Sequence, residues 1–307
     1  MSHDHQSHAH SAHGHSPASY GRAFAIGIAL NLAYVAGEAF AGIVSGSLAL
    51  LADAGHNLSD VLGLSLSWGA AVLSRRQPSG RFTYGLRSSS ILAALANAII
   101  LLVVTGGIAW EAIWRISHPV QVASGIVVAV AAVGIFVNGG TALLFASGSA
   151  DLNVKSAFLH LAADALVTAG VVVAGIVIWL TDWRWLDPAV SLLVSAVIVL
   201  GTWGLLKSAI GLALDAVPEG VDAAAVRAHL LALPGVAGLH DLHIWGMSTT
   251  ETALTCHLIM PAGHPGDAAL NAIAQQLHHR FAIEHATIQI ELADTDETCV
   301  LTPEHVV

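Results

Sequence analysis

The chain has 307 residues, 55% of them hydrophobic and only 10% charged, with a mean hydropathy of +0.70, which excludes an ordinary soluble domain and points to an integral membrane protein. The net charge of −10 is uneven: nine acidic residues balance nine Lys and Arg up to Ile210, whereas from Gly211 twelve acidic residues face only Arg227 and Arg280. That acidity excludes nucleic acid as a partner and divides a hydrophobic first part from an acidic, soluble second part.

The first stretch, MSHDHQSHAHSAHGHSP, carries His3, His5, His8, His10, His13 and His15 and little apolar surface. Residues 1–19 are therefore expected to be an unfolded tail in the cytoplasm that gathers metal loosely. An expression tag would more commonly be an uninterrupted histidine run. No basic n-region precedes the first apolar run, which is long enough to span, so no cleavable signal peptide is expected.

Residues 20–210 hold six apolar runs, each near the roughly 20 residues that a bilayer requires. They cover about Ala23–Val44, Leu48–Leu73, Ser89–Trp110, Gly125–Phe145, Ser156–Leu180 and Ala189–Leu206. Arg22, Arg75, Arg76, Arg81, Arg87, Lys155 and Lys207 fall on one side, and Arg115 and Arg184 on the other. The positive-inside rule then places both termini in the cytoplasm, and a bacterial inner membrane is the expected location. Trp110, Trp114, Trp179, Trp183 and Trp185 gather at the ends of the third and fifth spans, where an outer aromatic belt would lie. Glu111, beside this belt, is expected to be simply solvated.

The second span reads LLADAGHNLSDVLG from Leu50 to Gly63 and carries His56 and Asp60 one helical turn apart on one face. The fifth span repeats the spacing with His160 and Asp164 in FLHLAADAL. Ser67 continues the first polar stripe, and Ser156 and Thr168 flank the second. Ionisable groups at membrane depth cost several kcal/mol unless paired, so stripes of this kind face a bundle interior or a water-filled path. Two imidazoles and two carboxylates make a four-ligand N/O site suited to zinc. A divalent ion there would be neutralised by the two carboxylates, and protons could take its place because histidine titrates near neutral pH. Each His–Asp pair could alternatively be an interhelical hydrogen-bond clamp. Asp53, one turn before His56, is either an acceptor supporting the ligands or an entry-side carboxylate, or else a helix-end group near the outer interface. Asn31 and Glu38 share a face of the first span and suggest interhelical bonding. Because the motif sits in the middle span of each three-span half, an inverted repeat around a midplane site is expected.

From Gly211 the pattern becomes that of a small α+β domain, residues 211–293, followed by an acidic tail, 294–307. Val221–Leu233 and Asp267–Phe281 read as helices; Val236–Met247, Thr252–Met260 and Ala286–Leu292 read as strands. The αββαβ order predicts a ferredoxin-like three-stranded sheet with helices on one face. Strand alternation puts His240 with Leu242 and Ile244 on one side, and Asp241 with His243 and Trp245 on the other. His240, His257 and Glu291 form the candidate accessory metal site, to which Cys299 could add a soft ligand. Structural histidines are the alternative, and His278 and His279 read as surface residues. Two cysteines, Cys256 and Cys299, are too few for a disulfide framework and fit a reducing compartment.

These residues resemble the cation diffusion facilitator family of metal transporters over nearly the whole chain. The resemblance lies in SGSLALLADAGHNLSD, FTYGLRSSSILAALANAIILL, LNVKSAFLHLAADAL, GVAGLHDLHIWGMSTTETALTCHLIM and ATIQIEL. It implies a homodimer joined through the C-terminal domain, exporting cytoplasmic Zn²⁺ in exchange for protons, with zinc as substrate and regulatory ligand and no cofactor. By motif position the transport site is His56, Asp60, His160 and Asp164, and the cytoplasmic metal positions are His240, His257 and Glu291. The two-His, two-Asp set resembles the family's zinc-preferring branch. The loop RRQPSGRFTYG lacks the Asp and His ligands of some members, so no metal is expected there. The loop ASGSADLNVKS lacks the His-rich insertion of others, a role the N-terminal tail is expected to take over.

Two other readings compete: an intramembrane zinc enzyme and a membrane metal sensor without transport. The first is opposed by the lack of HExxH, of Gly-x-Ser-x-Gly and of a separate general base near either motif. The second leaves the paired ionisable groups in the membrane without a purpose.

Overall fold

A computed structural model describes residues 20–74, 76–146, 152–292, 299 and 301, without the side chains of 20–30, 60, 63, 64, 66–68, 70, 71, 74, 140–146 and 152–163. The His-rich tail and nearly all of the acidic C-terminal segment lie outside the described residues.

The membrane part is α1 (Tyr20–Ser45), α2 (Leu48–Ser74), α3 (Ser89–Ser117), α4 (Ser124–Ala146), α5 (Leu152–Thr181) and α6 (Leu186–Ala213). Among the described residues, Ser89–Ser117, Asp164–Thr181 and Leu186–Ala213 are each long and apolar enough to cross a membrane. The helices outrun the predicted spans, because hydropathy marks only the part suited to hydrocarbon while backbone hydrogen bonding continues beyond it. In α3 the continuation past Trp110 contains an i,i+4 ion pair, Arg115 Nε donating to Glu111 at 2.9 Å. Glu111 is thus paired, not merely solvated.

In lipid there is little hydrophobic force between helices, so close approach of small residues does much of the joining. Ala41, Ala49 and Ala131 accordingly share one buried cluster with Leu50, Val127 and Val171, and Ala52 shares another with Leu101, Val194 and Ile198. Large apolar side chains point outward instead: Phe136 is 81% exposed and Leu200 77%, as suits a lipid-facing surface. All five tryptophans of the expected belt are exposed as well. Helix α4 lies along α5 and α3 along α6; α2 packs on α1, α3 and α6 and meets α5 over a short stretch. Helix α1 also meets α4, so each of the first three helices touches the helix three places further on.

The start of α2 is held from a distance. Gly46 turns the chain at φ +70, and Ser47 Oγ accepts from the Leu50 N–H at 3.1 Å as an N-cap. Asp187, in the first turn of α6, then accepts from the Ser47 hydroxyl, from the Leu48 N–H at 2.8 Å and from the Ala49 N–H at 3.4 Å. A buried carboxylate thus satisfies the free amides at a helix N-terminus, where the helix dipole also favours negative charge. Arg115 Nη1 donates to the Gly46 carbonyl at 2.7 Å and joins α3 to the same corner.

The C-terminal domain is α7 (Ala223–Leu231), β1 (Gly238–Gly246), β2 (Thr252–Ile259), α8 (Asp267–Phe281) and β3 (His285–Glu291), the predicted αββαβ order. Asp222 caps α7 by accepting from the Ala224 and Ala225 N–H groups. The sheet order is β1-β2-β3, with β1/β2 antiparallel and β2/β3 parallel. Val226, Leu230, Ile273 and Leu277 of the helices share a core with Leu239, Ile244, Leu254, Cys256 and Leu258. By alternation, His257, Gln289 and Glu291 then fall on the opposite face.

Simple alternation fails in β1. The register shifts between His240 and His243, with Asp241 in the left-handed region at φ +51, so one extra residue is inserted as a β-bulge. The shift places Leu239 and Ile244 together in the core, and returns His243 to the face that His240 occupies. The expectation that His240 shares a side with Leu242 and Ile244, away from His243, is therefore corrected.

The two parts meet where α3 begins. Arg87 pairs with Glu251 at 2.8 Å, Ser88 Oγ donates to the Met247 carbonyl at 3.2 Å, and the Thr249 N–H donates to Ser90 Oγ at 3.1 Å. Tyr84 stacks edge-on against His285 with ring centres 5.7 Å apart.

Candidate metal centre

Helices α2 and α5 bring His56 and Asp164 together: the His56 Nε2–H donates to Asp164 Oδ1 at 2.9 Å. Asp164 is buried and His56 half-buried, and Thr168, one turn on, donates to the Asp164 carbonyl at 3.0 Å. Asp60 and His160 lie on the same two helices, one turn from these residues, but their side chains fall outside the described residues. An imidazole nitrogen and a carboxylate oxygen converging from different helices can hold a divalent ion or, equally, a proton.

One turn nearer the start of α2, Asp53 is 1% exposed and neither carboxylate oxygen accepts a hydrogen bond of good geometry. Glu38 of α1 is wholly buried beside it, accepting from the Tyr34 hydroxyl at 3.0 Å and from Asn57 Nδ2 at 3.0 Å. The interhelical role expected of Glu38 is present; Asn31 is exposed. Tyr34 and Asn57 went unnoticed in the sequence, where only the i,i+4 spacing of Tyr34 to Glu38 signalled the contact.

On the outer face of the C-terminal sheet, His240, His257, Glu291 and Cys299 each offer a ligand atom, all within 4.8 Å of one another. His240 and His257 stand opposite in the β1/β2 register, with ring centres 4.9 Å apart. Glu291 accepts from His240 Nε2 at 2.9 Å and from His257 Nδ1 at 2.8 Å, and Cys299 Sγ lies 3.7 Å from that Nδ1. Burial alone would raise the Glu291 carboxyl, but the hydrogen bonds from His240, Cys299 and His257 outweigh it and hold it below the usual carboxylate range. Two imidazoles, a carboxylate and a thiol fit a tetrahedral zinc ion by donor type. Asp241 is the residue that alternation hid: the bulge aims its carboxylate at His257 Nε2 (3.4 Å) and His243 Nε2 (2.8 Å). By accepting at Nε2 it would favour the tautomer that presents His257 Nδ1 to a metal ion in place of the Nδ1 hydrogen bond to Glu291. His278 and His279 are exposed on α8, as expected.

The family description "Cation efflux transmembrane domain" matches residues 24–212, and "Cation efflux protein, cytoplasmic domain" matches residues 218–293. The chain is 36% identical over 298 residues to the metal cation efflux system protein CzcD of Cupriavidus metallidurans, covering 96% of this chain and 91% of that one. It is 38% identical over 271 residues to the zinc transporter ZitB of Escherichia coli, covering 87% and 86%. Over 264 residues it is 32% identical to the cadmium, cobalt and zinc/H(+)-K(+) antiporter of Bacillus subtilis, covering 84% and 85%. With bundle, sheet domain and relatives in agreement, the chain belongs to the cation efflux family and is a multi-pass membrane transporter of metal cations, not an enzyme.

Proposed function

We propose that this transporter exports Zn²⁺ from the cytoplasm in exchange for protons, through a site formed by His56, Asp60, His160 and Asp164. The observation that carries the reading is the His56–Asp164 contact of 2.9 Å across α2 and α5. Two such imidazole–carboxylate pairs, giving up one proton each, exchange them for one divalent ion without leaving buried charge uncompensated. Relatives named as a zinc transporter and as a zinc/H(+)-K(+) antiporter support both the metal and the coupling. Both termini lie in the cytoplasm of a bacterial cell, the chain works as a homodimer joined through residues 211–293, and His3, His5, His8, His10, His13 and His15 gather metal for it. His240, His257, Glu291 and Cys299 form a regulatory zinc site on the cytoplasmic domain.

Proteoliposomes carrying a pH gradient test the reading. Wild type accumulates zinc at the expense of the pH gradient, and Asp164→Ala loses at least tenfold in rate, because the one carboxylate left, Asp60, cannot neutralise a divalent ion. Equal rates in the two proteins would overturn it.

A further inference from the structure

Glu38 and Asp53 form a second polar centre inside the bundle, beside the His56–Asp164 contact. Both carboxylates are buried, at 0% and 1% exposure, and they are near enough to repel across the α1–α2 contact. Among the described residues neither carboxylate pairs with a Lys or Arg, and the basic group whose charge reaches Asp53 is His56. The titratable groups facing them are Tyr34 from α1, His56 from α2 and Asp164 from α5; Thr168 adds a hydroxyl. Tyr34 and Asn57 both direct hydrogens at Glu38, while both Asp53 oxygens are without a good donor. Gly134 of α4 leaves the room for this arrangement, since a Cβ there would stand 2.1 Å from the Tyr34 hydroxyl oxygen.

Two adjacent buried carboxylates without a cation do not both remain ionised. We propose that Glu38 and Asp53 are a proton-binding site separate from the metal ligands, holding one proton between them. A metal ion suits the pair poorly: no nitrogen or sulfur donor joins it, and the Tyr34 and Asn57 hydrogens occupy lone pairs that an ion would require. Uptake makes an O–H bond on one carboxyl, which donates to the other. Release breaks that bond and leaves two negative charges for water or a passing cation to balance. The inference rests on the transport reading and adds to it a proton carried apart from the His–Asp ligands.

The test counts protons released per zinc taken up in proteoliposomes, for wild type, Glu38→Gln and Asp53→Asn, each first shown to be monodisperse. In the variants the ratio falls by about one and the pH dependence of uptake flattens accordingly. An unchanged ratio and profile would overturn the proposal. Should neither variant fold, infrared spectra of zinc-free wild type at neutral pH decide. A protonated-carboxyl band supports the pair, and its absence sinks the idea. Asp164→Ala separates the two claims: normal transport in that variant refutes the site reading and leaves the infrared test of the pair standing. A dead Asp164→Ala with no proton at the pair refutes this inference alone.

Discussion

Cys256 sits in the sheet core at 1% exposure, where burial, helped by the Asp241 charge, pushes its thiol up to about 12. Cys299 instead lies beside His257 on the other face. A thiol reagent at neutral pH should therefore label Cys299 and spare Cys256 in the folded protein, and zinc should slow the Cys299 reaction at least several-fold. Labelling followed by mass spectrometry reads both. Glu291 makes a second prediction, in acid. Its carboxyl is held below its unfolded value, so the stabilisation is present above the ordinary carboxylate range and is lost as pH falls through the lowered value. Below about pH 4.3, metal-free wild type should lose stability more steeply than Glu291→Gln in thermal melts. The four-residue spacing of His56 to Asp60 and of His160 to Asp164 was legible because helical periodicity projects directly onto a face. Asp53 was not: whether a carboxylate one turn away is buried depends on which helix covers it, and that is set by packing.

At the scale of elements, the six spans and the αββαβ order could be read from hydropathy and alternation, since each reflects a single solvent boundary. The bulge in β1 could not. HDLHIW alternates acceptably in either register, and only the pairing with β2 shows that one residue is extra. The cap on α2 was equally hidden, because its acceptor comes from α6, 140 residues further along the chain. Asp187→Ala would leave buried amides at Leu48 and Ala49 without an acceptor. It should cost about 2 kcal/mol, measured by denaturation in detergent, with Asp187→Asn costing less.

Across the whole molecule, the C-terminal sheet is joined to the bundle by Arg87, Ser88 and Ser90 at the head of α3. The Arg87–Glu251 pair is about a third exposed on each side and contributes under about 1 kcal/mol to stability. Arg87→Ala should thus barely move the melting temperature, yet hydrogen exchange at residues 247–251 should quicken as the hairpin frays. None of this junction was legible beforehand, since surface contacts between parts leave no periodic trace.

The cross-helix cap at Asp187 has a mechanical consequence. With the head of α2 pinned to α6, and α3 clasped to the same corner by Arg115, those three helices are tied into one group, while α4 and α5 lie along each other as a second. His56 belongs to one group and Asp164 to the other, across the thin α2–α5 seam. A cargo held by both would act as a rivet across that seam, and widening the seam would loosen its grip.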